Sequence, residues 1–235
     1  MKKALFTVFV LVVLAVTSFA QKTKPWTEWS KKDADKILND SAWGQTITKG
    51  EAPPSMSRDA NAGRNTGASA PSSSELPTEV NYRVRLMSAK PIREGVARKI
   101  LLSQSTPTKD LTDQLQGIID KDLGDFIVVA VNVDGQNPAT VNGNLMMLSR
   151  MNTAFLSEKA YIERKDGKRM PLVEYRPPIA DNMGGKFIFA RTLDGKSFVS
   201  PETESVRFVL NGNGNLKLDV KFKVSGMTYG DRLEY

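Results

Sequence analysis

A stretch of strictly alternating apolar and polar residues close to the end of the sequence constrains the fold most strongly. Its apolar positions are Leu216, Leu218, Val220, Phe222 and Val224. An alternation with period 2 places these side chains on one face of a β-strand and the polar ones on the other. A strand with one apolar and one wet face is typical of an antiparallel sheet. The same alternation occurs at 80–86 and 206–210, so the sequence predicts several such strands.

Turn residues separate the strands in the second half of the chain. Asp-Gly pairs lie at 166–167 and 194–195, and an Asn-Gly run covers 211–215. Asp-Gly between two strand patterns is among the strongest signals for a tight hairpin. The sequence therefore predicts a β-meander that begins near residue 160.

Two helix patterns and one buried strand precede this meander. Pro91 suits the first turn of a helix, and the apolar residues that follow it recur at helical spacing. A second helix starts at one of residues 106–108, with its apolar side chains again on one face. Residues 126–133 are almost continuously apolar and predict a central strand, whereas residues 145–156 fit neither pattern clearly.

These patterns predict a β-rich α+β fold. We expect an antiparallel β-sandwich or a strongly curved sheet with two helices packed on it, and a short N-terminal helix on a flexible linker. The predicted segments are a signal peptide at 1–20, a Trp-rich helical segment at 21–49, a disordered linker at 50–78 and a β-rich globular domain at 79–235. The linker assignment depends on composition, because 22 of its 29 residues are Gly, Ala, Pro, Ser, Asn or Thr.

The first twenty residues have the three parts of an export signal. Lys2 and Lys3 form a positive start, residues 4–16 are apolar apart from one threonine, and small residues precede Gln21. This arrangement predicts cleavage between Ala20 and Gln21. No second long apolar run follows, so we expect no transmembrane segment after cleavage. The predicted location is the periplasm or the extracellular space, and without Cys the product is not a lipoprotein.

The Trp-rich segment carries a helix with start signals at Ser30 and Asp33, which are spaced as in a capping box. A helix of about eleven residues is only marginally stable alone, so it needs a surface to pack on. The candidate docking residues are Trp26, Trp29 and Trp43. We favour packing on the protein's own domain, because exposed Trp is costly and the linker is long enough; docking on a partner is the alternative.

Composition excludes several chemistries. The chain has no His and no Cys, which removes Ser-His-Asp and Cys-His machinery and the usual zinc and iron–sulfur ligands. Residues 190–197 fit a relaxed phosphate-loop pattern, but a strand and a break follow instead of a helix, so a hairpin turn is favoured. Asp120, Asp122 and Asp125 lack the spacing of a calcium loop. The sequence predicts no cofactor and no metal site.

Carboxylate pairs are the catalytic option that remains. Glu163 and Glu174 lie on the two strands that flank Asp166-Gly167. A two-residue turn there would set Glu163 opposite Met170, so the two acids would not face each other directly. A secreted, glycosidase-like hydrolase that works with carboxylates alone is therefore the alternative function.

Positive charge is mild and locally clustered. Removal of the signal peptide lowers the formal net charge from +7 to +5, which predicts no nucleic-acid partner. A basic cluster consists of Arg83, Arg85, Lys90, Arg93, Arg98 and Lys99. We interpret this cluster as the solvated face of a strand and a helix; contact with an anionic polymer or a lipid headgroup is the alternative.

Parts of the chain resemble a family of exported hypothetical proteins from soil bacteria. The resemblance lies in the N-terminal stretches 24–30 and 37–43 and in the C-terminal stretches 186–191, 206–208 and 216–235. It implies export and a shared architecture. The family has no assigned activity, so the resemblance supplies no catalytic residue.

The function expected from the sequence is that of an exported, soluble, non-enzymatic protein. We expect a binding module or an envelope-associated module. Its partner is undetermined, with another envelope protein or a glycan as the candidates.

Overall fold

The computed structural model describes residues 24–50, 79–179, 182–214 and 216–235. The predicted signal peptide and its cleavage site at Ala20–Gln21 lie outside these ranges. So does the predicted linker, apart from Gly50.

Helices and strands alternate along the first part of the described chain, and strands dominate the rest. The helices are α1 (Lys31–Asn39), α2 (Lys90–Leu102), α3 (Lys109–Ile119), α4 (Pro138–Ser149) and α5 (Thr153–Leu156). The strands are β1 (Gly44–Gly50), β2 (Glu79–Leu86), β3 (Phe126–Gly135), β4 (Ala160–Arg164), β5 (Arg169–Arg176), β6 (Gly185–Ala190), β7 (Thr192–Leu193), β8 (Lys196–Ser197), β9 (Ser205–Asn211), β10 (Lys217–Lys223), β11 (Thr228–Tyr229) and β12 (Arg232–Leu233). In the described part of the chain, no helix combines the length and the apolar character needed to cross a bilayer.

Eight strands form one curved antiparallel sheet in the order β1-β2-β3-β6-β5-β4-β9-β10. The sheet is nearly closed, because side chains of β1 reach the backbone of β10. The Gln45 amide donates to the carbonyl of Lys221 (2.6 Å), and the Lys49 ammonium donates to the carbonyl of Lys217. The predicted β-rich α+β fold with a strongly curved sheet is confirmed.

The interior of the curved sheet is the main hydrophobic core. The alternating residues of the strands point into it, and aromatic rings fill its centre. Phe187 packs between Tyr175 and Phe208, with ring centroids 4.8 Å and 5.1 Å away. Helix α4 joins this core, since Leu148 is fully buried there and its carbonyl accepts a hydrogen bond from Tyr175 (2.8 Å).

Helices α1, α2 and α3 cover part of the outer face of the sheet. Ser30 and Asp33 form the predicted capping box at the start of α1, and Thr108 caps α3 as one of the expected start positions. Helix α2 approaches α1 closely at Gly95, where an added Cβ would lie 3.0 Å from the Leu38 side chain. These three helices cover the cavities on the outer face that are described in the next section.

Strand β1 belongs to the eight-stranded sheet. It pairs with β2 along its whole length, and Gly50 lies directly opposite Glu79. The segments before and after the predicted linker therefore meet as two neighbouring strands of one sheet.

The hairpin at Asp166-Gly167 differs by one residue from the expected register. Glu163 lies opposite Arg169, and Ile162 lies opposite Met170. The loop contains three residues instead of two, because Gly167 adopts a left-handed conformation (φ 83°) that suits a bulge after a type I turn. At Asp194-Gly195 both turn residues have positive φ, and the expected two-residue hairpin forms between β7 and β8.

Candidate functional site

Trp26 and Trp29 lie against α2 and α3. Together with Leu101, Leu115 and other apolar residues, they form a second, smaller core outside the sheet. The indole of Trp26 donates to the Gln116 side chain on α3 (2.8 Å). This pairing satisfies the polar atom of the ring while its apolar body is buried.

Trp43 lies in the main core between the end of α1 and the last residues of the chain. Its indole donates to the backbone oxygen of Glu234 (2.7 Å) and packs edge-on against Tyr229. All three indoles are thus buried within the protein's own fold. The predicted docking residues present no exposed aromatic surface to a partner.

The two acids considered for hydrolysis are engaged in ion pairs on the sheet surface. Glu163 contacts Arg169 (2.5 Å) and Arg207 (3.5 Å). Glu174 contacts Arg176 (2.7 Å), and this hydrogen bond lowers the pKa of the Glu174 carboxyl. A general acid needs a raised pKa, so the environment of Glu174 does not suit that role. The described residues also contain no group of three or more acidic side chains that could hold a metal ion.

An apolar cavity of about 250 Å³ lies between the outer face of the sheet and helices α2 and α3. Its apolar lining consists of Met87, Val96, Ala97, Ile100, Leu115, Ile118, Leu123, Val128, Met183 and Ile188. The volume is close to the lower end of the ~300–1,000 Å³ range of small-molecule pockets. The cavity is partly open, and Ile118 at its edge is 58% exposed.

The floor of this cavity follows from the strand alternation. Val128 of β3 and Ile188 of β6 are direct cross-strand partners. Their neighbours Ile127, Val129, Phe187 and Phe189 are buried in the interior, so Val128 and Ile188 point outward. Apolar side chains on both faces of β3 require a cover on the outer side. The covering helices leave a gap there that the described side chains do not fill.

Cationic side chains complete the lining of the apolar cavity. They are Arg93, Lys121, Arg176 and Lys186, and no carboxylate occurs among the described lining residues. Arg93 is held in place because its guanidinium donates to the carbonyls of Ile119 (2.9 Å) and Ser88. Burial lowers the pKa of Arg93, yet guanidinium groups remain protonated in proteins.

A second, polar cavity of about 600 Å³ adjoins the apolar one. The two share the lining residues Val96, Ile100 and Met183. The remaining residues of the polar cavity are Lys31, Asp35, Leu38, Asn39, Arg83, Arg85, Lys99, Asn132, Asp134 and Asn182. Both acids among them have cationic partners: Asp35 contacts Lys99 (3.3 Å), and Asp134 contacts Arg83.

Arg85 is the most deeply buried cation of the polar cavity. It is 8% exposed, on the outer face of β2 beneath the end of α1. Its Nε donates to the carbonyl of Leu38 (2.9 Å), and its Nη2 donates to the Asn39 side chain (2.8 Å). Burial, with a smaller contribution from nearby Arg83, lowers the pKa of Arg85 to about 10. The group is therefore still positively charged at neutral pH.

The structure divides the basic cluster that the sequence analysis interpreted as a solvated face. Lys99 is exposed, in agreement with that interpretation, but Arg85 is buried. Arg98 donates to the carbonyl of Trp29 and holds the N-terminal segment on α2. No sequence pattern indicates this division, because the burial of Arg85 depends on α1 folding over β2.

Comparisons with known proteins add little to this geometry. No protein-family model matches the chain, and no curated protein is found to match it. A crystal structure from Burkholderia pseudomallei K96243, described as a novel protein of unknown function, is similar with a TM-score of 0.41 and 8% identity. That similarity covers 60% of this chain and 72% of the other. The chemistry of the site therefore rests on its own residues.

Proposed function

We propose that the protein is an exported, non-enzymatic binding module whose ligand site is the apolar cavity under α2 and α3. The observation that carries this proposal is the cavity itself: ten apolar side chains surround a space of about 250 Å³ on the outer face of the sheet. Water finds few hydrogen-bond partners in such a space, whereas an apolar ligand is favoured there by burial of its surface.

The absence of a catalytic arrangement among the described lining residues supports binding over catalysis. The apolar cavity has cations but no carboxylate, hydroxyl or tyrosine in its lining. Hydrolysis without His or Cys needs a nucleophile or a pair of acids at the reacting centre. Export is the part of the proposal that depends on residues 1–20, with their basic start, apolar run and small residues before Gln21.

A neutral apolar dye tests the site directly. N-phenyl-1-naphthylamine fluoresces more strongly in apolar surroundings, and we expect a saturable increase when it is titrated with the purified protein. Val128→Phe places an aromatic ring in the cavity from its floor and should weaken dye binding about 10-fold or more, because the ring competes for the same space.

The matched control is Val173→Phe, the same substitution at a strand position that is 50% exposed and does not line the cavity. This variant should bind the dye like the unaltered protein. The proposal fails if the dye shows no saturable binding, or if both variants bind it equally well while remaining folded by circular dichroism.

A further inference from the structure

We propose that the ligand is a single-chain amphiphile with an anionic head group. Its alkyl chain occupies the apolar cavity, and its head group lies in the adjoining polar cavity against Arg85. This inference rests on the proposed function, since it names the class of ligand for the same site.

The shared walls of the two cavities supply the first step. Val96 and Ile100 of α2 and Met183 of the β5–β6 connection line both spaces. An apolar compartment beside a polar one matches a molecule with an apolar and a polar end. Neither compartment alone would account for such a ligand, because burial of the chain and hydration of the head require different surroundings.

Cross-strand register supplies the second step, because it places Arg85 close to the apolar floor. Ala130 of β3 pairs with Arg85 on one side and with Lys186 on the other. Lys186 in turn lies opposite Arg176 of β5. Strands are ~4.8 Å apart, so the backbones at Arg85 and Lys186 are about 10 Å apart. Only the methyl group of Ala130 lies between them on this face. This row runs beside Val128 and Ile188, where the alkyl chain would lie.

The bonding of Arg85 supplies the third step. Both of its hydrogen-bond partners are uncharged, and no salt bridge links it to a carboxylate among the described residues. A guanidinium has five N–H donors, and two are used in these bonds. Buried charges in proteins are ordinarily paired with an opposite charge. An anionic group in the polar cavity would provide that charge.

The neighbouring acids Asp134 and Asp35 attract Arg85 electrostatically but form no salt bridge with it, because each is in direct contact with another cation. Asp134 is bonded to Arg83, and Asp35 lies between Lys99 (3.3 Å) and Lys31 (3.9 Å). Around them, the amide side chains of Asn39 and Asn132 add neutral polar walls. The electrostatic character of the polar cavity is therefore positive at its base, which favours an anionic head group over a neutral or cationic one.

Three probes that differ in the head group test this inference. Decanoate, decanol and decyltrimethylammonium are each used to displace the neutral dye from the purified protein at one ionic strength. We expect decanoate to bind about 10-fold more tightly than decanol, since a charge-assisted hydrogen bond in a partly buried site contributes this much. The ammonium compound should bind more weakly than decanol.

Variants assign the preference to Arg85. Arg85→Gln should lower decanoate affinity to that of decanol and leave decanol affinity unchanged. The matched control is Arg207→Gln, an outer-face arginine that contacts Glu163 and Asp219 and lines neither cavity; its preference for decanoate should stay intact. If Arg85→Gln also loses the dye, Arg85→Lys decides, because it keeps the charge and should keep the preference.

The outcomes separate the two proposals. No binding of the neutral dye would overturn the proposed function as well as this inference. Dye binding with equal affinities for the three probes would overturn the inference alone. A preference for decanoate that survives in Arg85→Gln, or a decanoate affinity that Val128→Phe leaves unchanged, would also overturn it, because the head or the chain would then lie elsewhere.

Discussion

Phe222 and Lys221 are adjacent residues of β10 with opposite surroundings. The Phe222 ring is 1% exposed in the interior of the curved sheet, whereas the Lys221 side chain is exposed on the outer face. Both positions follow from the alternation of residues 216–224. At this scale the sequence was sufficient, because period 2 fixes which side chains of a half-buried strand are inside.

We expect Phe222→Ala to lower the free energy of unfolding by ~3–5 kcal/mol, since it leaves a cavity in a packed core. Lys221→Ala should change it by no more than about 0.5 kcal/mol. Urea denaturation of both variants measures the contrast. Similar losses in the two would contradict the assignment of the faces, because a one-residue slip exchanges them.

Glu94 is a buried acid of α2 that lies outside the proposed ligand site. It is 6% exposed, and it accepts a hydrogen bond from the hydroxyl of Tyr229. Burial raises the pKa of Glu94, although the Tyr229 hydrogen bond lowers it in part. Burial also raises the pKa of Tyr229, so this hydroxyl remains a donor at neutral pH.

A raised carboxyl pKa makes stability depend on pH with a definite sign. Between the ordinary glutamate pKa of 4.5 and the higher pKa in the folded state, the folded protein binds more protons than the unfolded one. The free energy of unfolding therefore falls as pH rises through this window. Glu94→Gln should remove this part of the pH dependence, because the amide oxygen still accepts from Tyr229 and carries no charge.

Urea denaturation at acidic and neutral pH checks this prediction. The variant should equal or exceed the unaltered protein in stability at neutral pH. Glu174→Gln is the matched control, since that acid is only partly buried and its pKa is lowered by Arg176. A steeper loss of stability with rising pH in Glu94→Gln would show that burial is not the dominant influence on Glu94.

Single elements were predictable from the sequence where a local signal stands alone. The caps at Ser30 and Thr108 and the alternation in β2, β9 and β10 all lie within a few residues of the element they define. Helix α4 was missed although it has such a signal: Asn137 accepts hydrogen bonds from the first turn, and Pro138 follows it directly. Its apolar pattern hid the helix, because the polar Asn144 is buried on the core-facing side while Met146 is 52% exposed.

The candidate site was not predictable in the same way, because its parts come from distant segments. Val96, Val128 and Ile188 belong to three elements that meet only after the sheet has formed. One signal was available: residues 126–133 are apolar on both faces, which indicates a covered outer face. The burial of Arg85 required knowledge that α1 folds back over β2, and charge alone suggested an exposed side chain.

At the scale of the whole molecule, the N-terminal segment is part of the sheet. Trp43 packs in the main core, and β1 pairs with β2 and contacts the backbone of β10 through its side chains. Residues 24–50 therefore contribute an edge strand and a covering helix. The apolar surface of this segment, for which docking on a partner was the alternative, is thus buried against the protein's own residues.

The connection between β1 and β2 gives the last prediction. Gly50 and Glu79 are opposite each other in the ladder, so a short turn can replace residues 51–78 without moving either strand. Closing a shorter loop costs less entropy, and the reduction in length should raise the free energy of unfolding by ~2 kcal/mol. Urea denaturation measures this change, and dye binding reports whether the site is retained. A Gly/Ser segment of the original length is the control and should leave stability unchanged. Loss of folding in both replacements would mean that the sequence of 51–78, and not only its length, is needed to hold β1 on the sheet.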